Sequence, residues 1–395
     1  MASSSAVLRS PPALVPSAPA GKLSTKSLGG IADRGIPDIG IARERGRGRG
    51  TLSNQSGRYE PIARIAFDDG WQSLEELPPF ATTVSVDATR KIITRNESPD
   101  ISFDRSINPY RGCEHGCVYC FARPTHAYLG LSPGLDFESK LFVKPDAPAL
   151  LEKELSAPNY QVRTIAIGTN TDPYQPIERK YQVMRGILEV LERAGHPVGI
   201  VTKSALILRD LDILTRLAER NLVKVALSVT TLDPKLARTM EPRAATPGRR
   251  LEALRQMSAA GIPTSVMVAP VIPAINDADI ERILDAAAMA GVKGAGYVLL
   301  RLPLEVRDLF VEWLKANYPD RAEHVMKLVR DMRGGKDYDS TWGSRMKGTG
   351  PYAWTIGRRF EIACDRLGLN KHKVPLSIEQ FHSPKPRAEQ LSLFG

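Results

Sequence analysis

Cysteine is scarce in this chain: there are four in 395 residues, with Cys113, Cys117 and Cys120 inside eight positions and Cys364 alone. So few, so clustered, they exclude a disulfide framework and favour a reducing compartment with a metal or redox role for the cluster. Cys364 reads as a small buried hydrophobe. Long apolar runs are missing too, since stretches such as TSVMVAPVIPAI are broken by proline and polar residues, which excludes a transmembrane helix. No Walker-type phosphate loop occurs, so nucleotide hydrolysis is unsupported. His196, His324, His372 and His382 are dispersed, form no i, i+4 ligand pair, and read as structural or exposed. What is present, 42% hydrophobic and 25% charged residues, excludes a wholly disordered chain.

The net charge of +10 is uneven. Residues 1–58 carry nine Lys or Arg against Asp33, Asp38 and Glu44, which leaves a nearly balanced body. A basic arm of this kind is attracted to nucleic acid or is simply solvated. It is rich in Ser, Ala, Pro, Gly and Arg, ends in the low-complexity run RERGRGRG, and is expected to be disordered. The absence of acidic residues before Asp33 also suits an organelle transit peptide; otherwise the location expected is cytoplasmic.

From about Ser106, strand-like runs alternate with amphipathic stretches, the pattern of consecutive βα units around a parallel sheet. The expected strands are SINPYRG, VRTIAIG, PVGIVTK, VKVALSVT, PTSVMVAP and GAGYVLL. The expected helices are Ala147 to Ser156, Lys180 to Ala194, Ala205 to Arg220, Pro247 to Ala260 and Asp277 to Ala290. Three joints, AGHPVGIV, AGIPTSV and AGVKGAGYV, each end a helix at Ala-Gly before a strand, as glycine C-caps do. Six units predict an α/β fold, a partial (β/α)6 TIM-like barrel, with its active site at the C-terminal strand ends. The layout expected is a basic arm (1–58), a lead-in (59–105), the partial barrel (106–303), a helical covering segment (304–374) and a flexible tail (375–395). In the covering segment, Glu305 to Tyr318 and Tyr352 to Leu367 read as helices.

The segment INPYRGCEHGCVYCFARPTHAY places the three thiols at i, i+4 and i+7. One helical face could carry them as core thiols, but Pro109, Gly112, Gly116 and Pro124 favour a tight loop able to wrap a metal centre. Zinc would need a fourth ligand, His115 or His126, and no second cysteine pair exists. Three thiolates without a fourth leave one iron of a 4Fe-4S cluster open to a substrate or cofactor.

The strand ends offer further polar residues. Thr169, Asn170, Thr171 and Asp172 follow the second strand, in a run that also suits an ordinary Asx turn. Lys203 ends the third, where a cation can pair with a carboxylate or be solvated. Ser228 interrupts an apolar fourth strand and, if buried, needs a partner. Glu241 and Arg243 lie in the following loop, with Arg243 a candidate carboxylate clamp. VMVAPVIPAIND could back an aromatic ring.

The Cys-x3-Cys-x2-Cys spacing with Tyr119 before the last cysteine, in a loop after a first strand, resembles the radical S-adenosylmethionine (SAM) superfamily. SINPYRGCEHGCVYCFAR, GTNTDPYQPIE, VTKS and EPRAATPGRRLEAL are similar to the branch containing spore photoproduct lyase and its uncharacterised bacterial relatives. The resemblance implies a 4Fe-4S cluster on Cys113, Cys117 and Cys120, and S-adenosyl-L-methionine cleaved reductively to a 5'-deoxyadenosyl radical. It implies Tyr119 against the adenine and Thr171 and Asp172 at the methionyl end; for such a cofactor the strand-end reading puts Lys203, ahead of Arg243, near its carboxylate and Ser228 on ribose or carboxylate. An electron donor is implied as a partner. The lyase uses a further cysteine after the second strand as hydrogen-atom donor, whereas here no cysteine lies between Cys120 and Cys364 and the loop carries Asn170.

At the far end, Gln390, Leu391, Ser392, Leu393 and Phe394 resemble the peptide by which bacterial repair and replication proteins dock on the DNA polymerase sliding clamp. Together with the basic arm, it points to DNA as the substrate and a lyase- or transferase-like, repair-type reaction. Radical modification of a protein, tRNA or small molecule, and a zinc-stabilised nucleic-acid-binding scaffold without turnover, are the competing expectations.

Overall fold

In the computed structural model, six strands lie parallel and in chain order: β1 (Arg105–Ile107), β2 (Ile165–Ile167), β3 (Val198–Thr202), β4 (Val223–Ser228), β5 (Thr264–Val271) and β6 (Gly294–Leu299). These are the six strands the sequence predicts. The structure describes residues 48–60, 81–371 and 375–384. The sheet is a linear series whose β1 edge pairs with the antiparallel strand Ile93–Arg95, so it forms an open barrel. Short runs of branched apolar residues such as Ile165–Ile167, buried along their whole length, make strands that are covered on both faces.

The crossovers are helical: α1 (Ala147–Leu155), α2 (Val183–Arg193), α3 (Leu211–Glu219), α4 (Pro247–Ala259) and α5 (Ile280–Met289). Glycines at φ +58° (Gly195), +77° (Gly261) and +87° (Gly291) follow α2, α4 and α5, so each Ala-Gly joint is the left-handed turn that releases the chain into the next strand. Two expected helices are interrupted. Lys180 to Ala194 breaks at Gln182, whose φ is +50°, where the buried Glu178 carboxylate accepts from the Met184 N–H at 3.1 Å. Ala205 to Arg220 begins as a 3-10 turn, Ala205–Asp210, with Ser204 capping Leu206 N–H.

Beyond β6 come α6 (Val306–Asn317), α7 (Ala322–Asp331) and α8 (Gly350–Leu367). The last was expected to cover the barrel; instead it packs on α5, and its Phe360 ring lies 4.8 Å from Tyr297 of β6, in the position of a sixth barrel helix. The true cover is α6 and α7. Phe310, Trp313, Val325 and Val329 form an apolar cluster there with Val118 and Tyr119 of the cysteine loop, separate from the main core between sheet and helices.

The expected boundary of the disordered arm at residue 58 is also corrected. Residues 48–58 form a strap packed on the body: Gly50 and Thr51 N–H donate to the Glu138 carboxylate at 2.9 and 3.0 Å, and Asn54 bonds Asp136 at 3.0 Å. Thr83–Val86 and Tyr110–Arg111 flank Lys140–Val143 in a small three-stranded sheet beneath the cysteine loop. The rest of the arm and the Gln390–Phe394 peptide lie outside the described residues. Among the described residues, no helix is long and apolar enough to cross a membrane.

Candidate active site

The cysteine loop begins just after Tyr110–Arg111 and is fixed by backbone and side-chain bonds on all sides. Cys113 N–H donates to Phe137 O at 2.9 Å, Glu114 N–H to Gln175 Oε1 at 2.9 Å, and Val118 N–H to Met240 O at 3.0 Å. Arg123, fully buried, donates from Nε to Cys117 O at 2.9 Å and from Nη2 to Glu138 at 2.6 Å. Gly116 sits at φ +66°, and a Cβ there would meet Glu138 Oε2 at 2.7 Å, so only glycine lets the loop close against this carboxylate.

The loop opens on a cavity of about 310 Å³ at the C-terminal ends of the parallel strands. Its walls include Cys113, Cys117, Cys120 and Tyr119 from the loop, Asn170 and Asp172 after β2, Lys203 after β3, Ser228 on β4, and Met267 and Pro270 from β5. This is where a barrel of this type places chemistry. Burial pushes the thiols of Cys113, Cys117 and Cys120 up, while the Lys203 ammonium acts in the opposite direction on Cys117 and Cys120. Thiols so placed ionise when they bind metal.

The donor set fits a multinuclear centre better than zinc. Among the described residues, no group of three or more His, Cys, Asp or Glu converges on a single ion. Of the two expected fourth ligands, His126 lies outside the cavity wall with Nε2 2.9 Å from Lys140 O, whereas His115 lines the cavity, and its Nδ1, 3.4 Å from Asp172 Oδ2, makes no hydrogen bond to a described residue. His126, its pKa lowered to about 4 by burial, stacks edge-on against Phe137. Three thiols facing a shared cavity, with no fourth cysteine there among the described residues, can each take one iron of a cubane and leave one iron open.

The other expected site residues divide. Lys203 Nζ lies 5.7 Å from the Tyr119 ring centroid and has no ion pair among the described residues; burial lowers its pKa. Ser228 is buried at the wall, and its hydroxyl makes no hydrogen bond to a described residue. Tyr119 presents its ring to the cavity while its hydroxyl donates to Glu241.

Asp172 was expected to contact the cofactor's methionyl end, yet its carboxylate is already engaged by Thr202 Oγ1, Lys203 N–H (both 2.7 Å) and Tyr174 N–H (2.9 Å). Burial alone would raise its pKa, but His115, Thr202 and the Lys203 amide together hold it down at about 2. It ties the end of β2 to the end of β3. Thr171 is a correction: its hydroxyl donates to Tyr110 O at 2.8 Å, and it does not line the cavity. Arg243 is another, since its guanidinium pairs with Glu114 at 3.2 Å, outside the cavity wall.

Reading the sequence missed Arg250. Buried beneath Tyr119, it pairs with Glu241 and donates to Ser228 O at 2.9 Å, joining the tyrosine to β4. The signal was present in the EPRAATPGRR loop, but which of its arginines turns inward depends on the helix that begins at Pro247.

Comparison with known proteins agrees with this geometry. The model of the radical SAM superfamily matches residues 107–287. An uncharacterised protein of Mycobacterium tuberculosis is 40% identical over 232 residues, 58% of this chain and 68% of the relative. One from Methanocaldococcus jannaschii is 27% identical over 221 residues, covering 55% and 78%. Among solved structures, spore photoproduct lyase complexed with dinucleoside spore photoproduct superposes with TM-score 0.53 at 16% identity, over 72% of this chain and 80% of that one. A mutant of the same lyase gives 0.52 at 18% over the same shares, a likeness of fold.

Proposed function

Because the chain belongs to the radical SAM superfamily, whose members bind a 4Fe-4S cluster and S-adenosylmethionine, we propose that it is a radical enzyme acting on DNA. When bound and reduced, these cofactors supply a 5'-deoxyadenosyl radical able to take a hydrogen atom from a substrate. The observation that carries the reading is the cavity at the strand ends, where three thiols, a Lys203 with no ion pair among the described residues and the Tyr119 ring face one another.

In this reading Cys113, Cys117 and Cys120 hold the cluster. Lys203 receives the methionyl carboxylate, a charge-assisted bond in a water-poor site. Ser228 offers its free hydroxyl to ribose or carboxylate, and the Tyr119 ring, held by Glu241 and Arg250, forms the adenine wall. Asp172 and Arg243 act through others: Asp172 fixes the Lys203 backbone, and Arg243 braces Glu114 in the loop.

DNA as substrate is supported by the fold shared with a lyase solved with a dinucleoside lesion and by the basic arm, whose attraction to phosphates is sequence-independent. The lyase reaction itself is not transferred. Among the described residues, no fourth cysteine lines the cavity, and Cys364 sits on α8 beside Asn370. The same reading makes Gln390–Phe394 an anchor for the polymerase sliding clamp, with capture lost on Leu393→Ala and Phe394→Ala.

The test is hydrogen transfer. Incubated with deuterated oligonucleotide, reduced enzyme and SAM should yield 5'-deoxyadenosine carrying deuterium from the DNA. Deuterium-free product formed equally well without DNA would move the substrate to protein, tRNA or a small molecule.

A further inference from the structure

On the cavity wall three strands from Lys203, a second cation has no counter-charge among the described residues. Arg301, two residues beyond β6, lines the cavity with Phe121 and Met346. Its guanidinium carbon lies 4.8 Å from the centroid of the Phe121 ring, which directly follows Cys120 and is 42% exposed. The bonds it makes are poor ones: Nη2 to Tyr338 OH at 3.3 Å, and Nη1 to the Met346 sulfur at 3.8 Å. Nε is shielded from solvent and has no hydrogen-bond partner. Among the described residues no carboxylate pairs with Arg301. The nearby Arg333 adds positive charge and spends its own donors on the carbonyls of Ser344, Arg345 and Leu300.

An unpaired buried donor on a charged group is costly, and folded proteins satisfy nearly all such groups. The missing partner is therefore expected to be a ligand. One face of the guanidinium rests on an aromatic ring and its Nε edge lacks an acceptor, the arrangement in which arginine grips an oxyanion. Lys203 lies three strands away and serves the other end of the cavity.

Resting on the nucleic-acid reading above, we propose that Arg301, stacked on Phe121, receives a phosphodiester oxygen of the substrate and so sets which nucleotide faces the cluster. It is a binding and specificity residue for the substrate and does not hold the cofactor.

Calorimetric titration of the reconstituted, SAM-loaded protein with thymidylyl-thymidine and with its uncharged methylphosphonate analogue tests this. The wild type should prefer the phosphodiester about tenfold or more, the size of one charge-assisted bond. Arg301→Met, which keeps the side-chain stem, should bind both as the wild type binds the analogue, with SAM affinity unchanged; Arg301→Lys, which keeps charge without the fork, should retain part of the preference. An undiminished preference in a folded Arg301→Met protein, or loss of SAM affinity instead, overturns the proposal while leaving the DNA reading intact. Wild type that ignores both dinucleotides but binds inorganic phosphate through Arg301 would keep the oxyanion site and remove DNA as its source. No binding of any of the three overturns both.

Discussion

Arg123 Nη2 and Glu138 Oε1 meet at 2.6 Å with both side chains withdrawn from solvent, and between them they hold the cysteine loop and the N-terminal strap. Arg123 reaches forward to Cys117 O, and Glu138 reaches back to the amides of Gly50 and Thr51. One buried pair thus connects the cysteine loop to a segment more than sixty residues upstream.

Glu138→Gln removes the negative charge and leaves Arg123 buried without its partner. Breaking a buried pair in this way costs about 3–5 kcal/mol. Denaturant unfolding should show that loss, and iron content after reconstitution should drop as the loop loosens. An unchanged unfolding midpoint would contradict the role assigned to the pair.

Gly50→Ala tests the strap alone. A Cβ at Gly50 would lie 1.7 Å from Gly116 O, so the strap must lift away. Because it lies outside the parallel sheet, the barrel should stay folded while limited proteolysis near residues 48–57 accelerates. Equal cleavage rates in both proteins would show that the strap adjusts without leaving.

Lys203→Met should weaken SAM binding about tenfold or more, one charge-assisted bond, with the iron content of the reconstituted protein unchanged. Loss of iron along with SAM would make Lys203 a support of the loop instead.

His196 predicts an acid limit to stability. Burial lowers its pKa from 6.5 to about 4; the ring accepts from or donates to Tyr160 OH at 2.7 Å, and Phe381 covers it edge-on. Above pH 6.5 the ring is neutral in both folded and unfolded chains and contributes no pH dependence. As pH falls from 6.5 towards 4 the unfolded chain takes up the proton first, so stability declines by about 3 kcal/mol across that window. Phe381→Ala should raise the folded pKa and shrink the decline, read by NMR titration of the ring.

The barrel was legible because its signals are local. Most of the strands are short runs rich in branched apolar residues, and three of the five crossover helices end at an Ala-Gly joint whose glycine adopts positive φ. The cysteines were legible by spacing, and Lys203 and Ser228 by standing at the ends of apolar strands. The partners that hold Thr171 and Arg243, Tyr110 O in the strand before the cysteine loop and Glu114 within it, are supplied only by the tertiary fold. Arg250, Arg123 and Glu138 went unseen for the same reason: each is half of an ion pair whose other half no local pattern identifies. The strap was hidden by composition, since its Gly-Arg run is indistinguishable from low-complexity sequence until Gly50 meets Gly116.

In the function proposed above, Cys113, Cys117 and Cys120 hold a cluster that cleaves SAM in this cavity. Anaerobic reconstitution, dithionite reduction and assay of 5'-deoxyadenosine, beside a Cys117→Ala control, address it directly. The protein should be brown with about four irons per chain, and product should disappear with Cys117. A colourless protein containing zinc, or 5'-deoxyadenosine formed equally by the Cys117→Ala variant, would contradict it.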